Sequence, residues 1–213
     1  AKVDANPGEI SLVVIGPMTN IALALALRPD LAQKLKQIVF MGGSATEGNV
    51  TPAAEFNTWA DAEAARIVFN SGAKLVMFGL NLTHQTLLSR ADIAEVRAAV
   101  SGDNPVADIM AFYCGTYYAF AGEDKPGAPL HDPCAVAYLI DPSIFGIEQL
   151  PGEVIIGDGP GYGQTLIDFR PQDPRHDTRV KNVGVAMTVD AQKFAALVTP
   201  ALIWGARRFA AQA

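Results

Sequence analysis

The sequence predicts an α/β domain: a mainly parallel, open, Rossmann-like sheet flanked by helices, with a smaller β element near the C-terminus. Three observations carry this prediction. Short apolar runs ending at glycine alternate with helix-patterned segments from the start of the chain to Gly79. The first run, residues 11–15 (Ser-Leu-Val-Val-Ile), is continuously apolar, as expected of a parallel strand buried on both faces. Helices between successive strands also supply the crossovers that parallel pairing requires. At 213 residues and 50% hydrophobic, the chain suits one domain, residues 1–213, with a sizeable core.

Each element follows in turn. Residues 1–9 read as a polar lead into the first strand, which Gly16-Pro17 ends. Residues 19–28 are strong helix formers stopped by Pro29. A short helix over 31–35 precedes a strand over 37–41. Residues 61–69 form a helix with acidic residues in its first turn, where they complement the dipole. Residues 74–79 form the next strand. Helical patterns dominate beyond His84, over 92–100, 105–119 and 134–140. Residues 153–156, 165–169 and 180–189 read as strands of a smaller antiparallel element. A closing helix over 191–209 is expected to be interrupted near Pro200. The Gly-rich run from Gly157 to Gly163 follows no strand–helix phosphate pattern and reads as a loop.

Composition excludes several function classes. A net charge of −6 and the lack of a basic cluster argue against a nucleic-acid partner. Apolar runs such as 21–27 are far shorter than the roughly 20 residues needed to span a bilayer. No signal-peptide pattern is visible, and a cytoplasmic location is expected. Cys114 and Cys134 form no CxxC and are expected to be free thiols.

The most informative segment runs from Met41 to Asn57. A buried strand ends at Gly42-Gly43, and Asn49, Glu55 and Asn57 follow within nine positions. A glycine pair permits close backbone approach to a ligand. Two carboxamides and a carboxylate can then engage several hydroxyls at once, at the carboxyl end of a strand where open α/β sheets bind ligands. Taken alone, the same residues also describe a polar surface loop.

The company of this segment is specific. Ile15-Gly-Pro-Met-Thr-Asn-Ile-Ala lies upstream; Gly79-Leu-Asn-Leu-Thr-His-Gln85 and His131-Asp-Pro-Cys-Ala-Val-Ala-Tyr138 lie downstream. In this order and spacing the four blocks resemble the inosine–uridine-preferring nucleoside hydrolases, calcium-dependent N-ribosyl hydrolases, from about Glu9 to about Lys193. The resemblance is to the C-terminal two-thirds of such an enzyme. The Asp-x-Asp-Pro-Gly-x-Asp-Asp signature that opens full-length members, with its metal-binding carboxylates and catalytic base, is not in this sequence, so the domain is expected to be incomplete at its N-terminus.

The resemblance implies hydrolysis of a ribonucleoside to ribose and free base, with calcium assisting attack by water. It assigns Asp132 and the Ile15 carbonyl to the metal, and Asn49, Glu55, Asn57 and Met41 to the ribose. His131 becomes the acid assisting the departing base, and Tyr113 and Tyr117 become base contacts. The residue types agree, because calcium prefers hard oxygens and no Cys/His cluster competes for a softer metal. Each assignment has a plainer counterpart. Asp132 could be a helix N-cap before Pro133, and Met41 could be plain core. Tyr113 and Tyr117, four apart on one helix face, could be packing residues. His84 reads as structural and His176 as solvated. Relatives are commonly dimers or tetramers, so a homo-oligomer or a complementing N-terminal segment is the expected partner besides the nucleoside. The 213 residues by themselves are expected to be inactive; the alternative reading is a pseudo-enzyme or fragment that keeps the pocket without catalysis.

Overall fold

A computed structural model describes residues 1–171 and 178–211; His176, read as solvated, lies outside them. In chain order the elements are α1 (Lys2–Ala5), β1 (Ser11–Val14), α2 (Thr19–Leu27), α3 (Leu31–Lys34), β2 (Gln37–Met41), α4 (Phe56–Ala60), α5 (Ala62–Phe69) and β3 (Leu75–Phe78). Then come α6 (Leu80–Thr83), β4 (Leu87–Leu88), α7 (Arg90–Ala98), α8 (Pro105–Ala121), β5 (Ala128–Pro129) and α9 (Pro133–Ile140). The chain continues with β6 (Phe145–Leu150), β7 (Gly152–Val154), β8 (Thr165–Ile167), β9 (Val183–Val189) and α10 (Ala191–Ala210).

The main sheet has the order β1-β2-β3-β9-β6. β1, β2, β3 and β9 run parallel, and β6 closes the far edge antiparallel to β9. Because side chains alternate across a strand, the sheet divides its apolar residues between two cores. Ile38, Phe40, Leu75 and Met77 face one, with Leu25, Val68 and Phe69 from α2 and α5. Val39, Val76, Phe78 and Ala186 face the other, with Cys114, Cys134 and Phe194 from α8, α9 and α10. Cys114 and Cys134 are both buried free thiols, as expected.

Four features depart from the sequence reading. β1 is an edge strand with one open face, since Val13 is 38% and Ile15 50% exposed. Apolar content signals a strand that is covered somewhere but does not say by what. β9 leaves the small antiparallel element and joins the main sheet. Its residues Val183, Val185 and Ala186 are fully buried, which suits a central strand covered on both faces. Only β7 and β8 form the separate antiparallel pair in that region. α10 continues through Pro200, with Phe194 and Thr199 buried before it and Ala206 after it. Packing on both sides of the proline outweighs the one backbone bond it cannot donate. Finally, β6, α6 and the short pair β4–β5 were not legible, being too brief or too polar along the sheet edge.

Asp4 and Asp30 near the N-terminus are bridged at the surface by Arg28 and Lys34, with contacts of 2.7 to 2.9 Å. They form an ion cluster remote from the chemistry described below. Among the described residues no helix is long and apolar enough to cross a membrane.

Candidate functional site

The parallel strands β1, β2 and β3 end at one edge of the sheet, at Ile15, Gly42 and Gly79, and the loops beyond them build the site. Glu55 is the hinge of the first loop. It is 3% exposed and caps α4, accepting from the amides of Asn57 at 2.9 Å and Thr58 at 3.2 Å. It also accepts from the Gly43 amide at 2.8 Å, which ties the loop back to the end of β2. Burial pushes its carboxyl pKa up, the three amides oppose this, and the charge of Asp132 adds to the rise. Three amides occupy three of about four acceptor positions, so one Oε1 lone pair stays open.

Asn57 points its amide nitrogen at the Met41 carbonyl, 3.1 Å away, and at the Met41 sulfur at 3.4 Å. Its Oδ1 is thereby turned away with no partner among the described residues. Asn49 accepts from the Phe56 amide at 3.0 Å through Oδ1 and keeps its Nδ2 protons free. The three side chains therefore keep unpaired the two Nδ2 protons of Asn49, the Oδ1 of Asn57 and one Oε1 lone pair of Glu55. Met41 is 3% exposed and sits beneath Asn57, so it is core and support together.

Gly43 is required by a neighbour. It has φ +69°, and a Cβ there would lie 2.6 Å from the Thr165 methyl. The Thr165 hydroxyl accepts from the Ser44 amide at 2.8 Å and donates to the Ser44 carbonyl at 2.6 Å, clamping this loop to β8. Asn81 clamps the same loop to β9, accepting from the Ala45 amide and donating to the Ala186 carbonyl.

The second half of the site is the turn between β5 and α9. The His131 Nδ1 lies 2.7 Å from the hydroxyl of Thr83, at the end of α6. Burial, reinforced by the nearby His84 ring, pushes the His131 pKa down to about 4, so the ring is neutral at pH 7. His84 is exposed, stands edge-on to His131 with ring centres 5.7 Å apart, and places its Nδ1 4.0 Å from Glu47. The sequence reads it as structural, and its ring lies against that of His131.

Asp132 follows directly. It occupies the N-cap position of α9 without making a cap hydrogen bond, and its carboxylate has no partner among the described residues. Burial raises its pKa. With Ile15 it lines an apolar groove of about 380 Å³ walled by Pro133, Val136, Ile140 and Leu202. An unpaired, half-buried carboxylate suits a hard cation in kind. The number is short, because calcium takes six to eight oxygens and no group of three or more His, Cys, Asp or Glu able to hold a metal occurs among the described residues.

Tyr113 is near enough to feel the charge of Asp132, but its hydroxyl donates to the Pro129 carbonyl at 2.5 Å and its ring joins the core. Tyr117 packs against the same core and stands edge-on to Tyr118. Both pack on the core with part of their surface still exposed, and Tyr113 is tied to β5, the strand that leads to His131. Sequence reasoning missed Phe56 and Trp59, an exposed aromatic pair beside Asn57 with ring centres 6.4 Å apart. Two large aromatics three apart with no apolar face to join would have been the signal. Thr83, Asn81 and Thr165 carried no comparable signal. A larger cleft of about 1190 Å³ opens at the opposite end of the strands, beside Lys74 and Asn182, away from this chemistry.

The family model for inosine-uridine preferring nucleoside hydrolases matches residues 1–196. The chain belongs to this family. A relative within it, the pyrimidine-specific ribonucleoside hydrolase RihB of Shigella sonnei, is 40% identical over 195 residues, covering 91% of this chain and 60% of that protein. The purine-preferring ribonucleoside hydrolase of Gardnerella vaginalis superposes with a TM-score of 0.83 at 33% identity, over 95% of this chain and 63% of that one. A plant nucleoside hydrolase superposes with a TM-score of 0.82, also at 33% identity, covering 95% of this chain and 64% of that one. The chain spans about 60% of the length of most of the curated relatives it matches, and 78% of a shorter one from Shigella boydii.

Proposed function

We propose that this chain forms the sugar-holding and leaving-group side of a ribonucleoside hydrolase, in which the N-glycosidic bond is cleaved to ribose and free base. The observation that carries this reading is one convergence of groups. The free donors of Asn49, the free acceptors of Asn57 and Glu55, the unpaired carboxylate of Asp132 and the neutral ring of His131 come from loops at one edge of the sheet. Asn49, Glu55 and Asn57 would hold ribose hydroxyls above Met41, fixing the sugar for reaction. As the bond breaks, its electron pair moves to the base nitrogen. A neutral imidazole N–H from His131 would stabilise that charge by hydrogen bonding, as neutral histidine can.

Calcium is the cofactor we propose, with Asp132 and the Ile15 carbonyl as this chain's contribution to its shell. When bound, it would engage sugar hydroxyls and make a water more acidic. Tyr113 and Tyr117, one turn apart on α8 and only partly buried, would contact the base. The preference between purine and pyrimidine nucleosides differs among the relatives by their names, and none is assigned to this chain.

The short oxygen set favours a second reading for the 213 residues alone: nucleoside binding without turnover. Titrating the chain with inosine or uridine, while following amide and side-chain resonances, tests the pocket. Shifts at Asn49, Asn57 and His131, lost in Asn57→Ala, are expected; a titration that leaves all three unmoved would end the proposal. Release of free base with and without calcium separates the two readings, and we expect none at an ordinary enzymatic rate from the 213 residues alone.

A further inference from the structure

We propose that Thr83 is a positioning residue that fixes the tautomer of His131, placing its single ring proton on Nε2. This rests on the reading of His131 as hydrogen-bond donor to the leaving base. The argument is an accounting of one buried hydroxyl. Thr83 is fully buried, and the His131 Nδ1, 2.7 Å away, is the one hydrogen-bond partner of its side chain among the described residues. A threonine hydroxyl has one proton to donate, and a buried O–H without an acceptor costs free energy. If Nδ1 carried the proton, Thr83 would have to accept, and its own O–H would point at nothing. Only an unprotonated Nδ1 satisfies both groups, so the proton resides on Nε2 across the ring.

The geometry holding the two residues is independently secured. The Leu130 amide donates to the Thr86 carbonyl at 2.7 Å, and the one Thr86 hydroxyl proton faces two carbonyls, of Thr83 at 2.8 Å and Leu130 at 3.0 Å. The Thr86 hydroxyl also meets the Cys134 sulfur at 3.2 Å. The turn after α6 and the turn before α9 are thus joined whether or not Thr83 bonds His131. What Thr83 adds is the choice of nitrogen. With the proton on Nε2, the ring has its N–H aimed away from α6 and available to a departing base; with it on Nδ1, the outward nitrogen would be a lone pair facing developing negative charge.

The test is a spectrum of the protein itself. In the 213-residue chain labelled with nitrogen-15 histidine, long-range proton–nitrogen correlations at neutral pH report the tautomer of each of the three histidines. The His131 signals are those that disappear in His131→Asn. We expect an unprotonated Nδ1 and a protonated Nε2. Thr83→Val, close in shape and lacking the hydroxyl, should move both nitrogens toward averaged values, and Thr83→Ser should restore the native pattern. A protonated Nδ1 in the native chain overturns the proposal without Thr83→Val having to fold. So does an unchanged His131 pattern in a folded Thr83→Val. The readout is separate from turnover. If the tautomer is as stated but His131 proves irrelevant to nucleoside binding and cleavage, the functional reading fails and the positioning role stands.

Discussion

Glu55 and His131 show how burial sets the chemistry of single residues here. Both are ionisable groups held largely out of water, and both are driven toward neutrality, the carboxyl upward and the imidazole downward to about 4. For His131 the consequence can be measured. The unfolded chain protonates it near the ordinary value of 6.5, whereas the folded chain does so only near 4. Between those values unfolding takes up a proton, so stability falls as pH drops from about 6.5 to about 4. At about 1.4 kcal/mol per pKa unit, the loss is on the order of 3 kcal/mol. Glu55 and Asp132, with raised values, work in the opposite direction as pH rises above the ordinary carboxyl range. The difference in denaturant stability between native and His131→Asn protein isolates the histidine, and it should vary across that window. A pH-independent difference would contradict the assigned cause. Gly43 makes a second prediction at this scale. Its φ of +69° and the Thr165 methyl 2.6 Å from a would-be Cβ should make Gly43→Ala cost about 2 kcal/mol or more in a urea melt. A substitution at the exposed Gly102, which has a similar φ but open space around it, should cost less.

Elements hold the site through a few polar ties. Asn104 is fully buried and caps α8, accepting from the amides of Val106 and Ala107, while its Nδ2 donates to the Ala206 carbonyl in α10 at 2.9 Å. Asn104→Ala removes a cap and leaves a buried carbonyl without its donor, so thermal unfolding should report a loss of about 2–3 kcal/mol. A change below about 0.5 kcal/mol would show that the two helices are held by apolar contact alone. Legibility at this scale followed local information. α2, α5, α8 and α9 were readable because their caps, prolines and helix formers are consecutive in sequence. β6 was not, since its outward residues Glu148 and Gln149 are exposed along a sheet edge and mask the strand pattern. The length of α10 was misread because Pro200 is a strong local breaker, and only the packing of both flanking halves overrides it.

Across the whole molecule, the side of the sheet that ends at β1 is open. β1 has no partner on its outer edge among the described residues, and Val13, Ile15, Val136 and Ile140 are exposed beside the groove that reaches Asp132. An unpaired edge with an apolar face recruits other strands. The chain should therefore associate as its concentration rises, and Val13→Lys should reduce that association, as read by light scattering or sedimentation. A native chain that stays monomeric at high concentration would show that this edge is protected. The functional test at this scale concerns leaving groups. In any form of the protein that turns over nucleosides, His131→Ala should slow inosine far more than a riboside with an activated aryl leaving group, because help is needed only where the departing group is poor. Equal losses would make His131 structural.

The sequence by itself determined the α/β class and the mainly parallel sheet, and it singled out Asn49, Glu55, Asn57, His131 and Asp132 as candidate site residues. It could do so because strand runs, glycine stops and motif spacing are local, and a one-dimensional string records local chemistry in full. Only the tertiary structure decided which polar atoms remain free. Glu55 spends three acceptor positions on backbone amides, Tyr113 spends its hydroxyl on Pro129, and Asp132 spends nothing. It also decided that Thr83, 48 positions from His131, is the residue beside its ring. Hydrogen bonds and burial depend on distances between segments far apart in the chain, and those distances exist only once both cores have packed against the sheet.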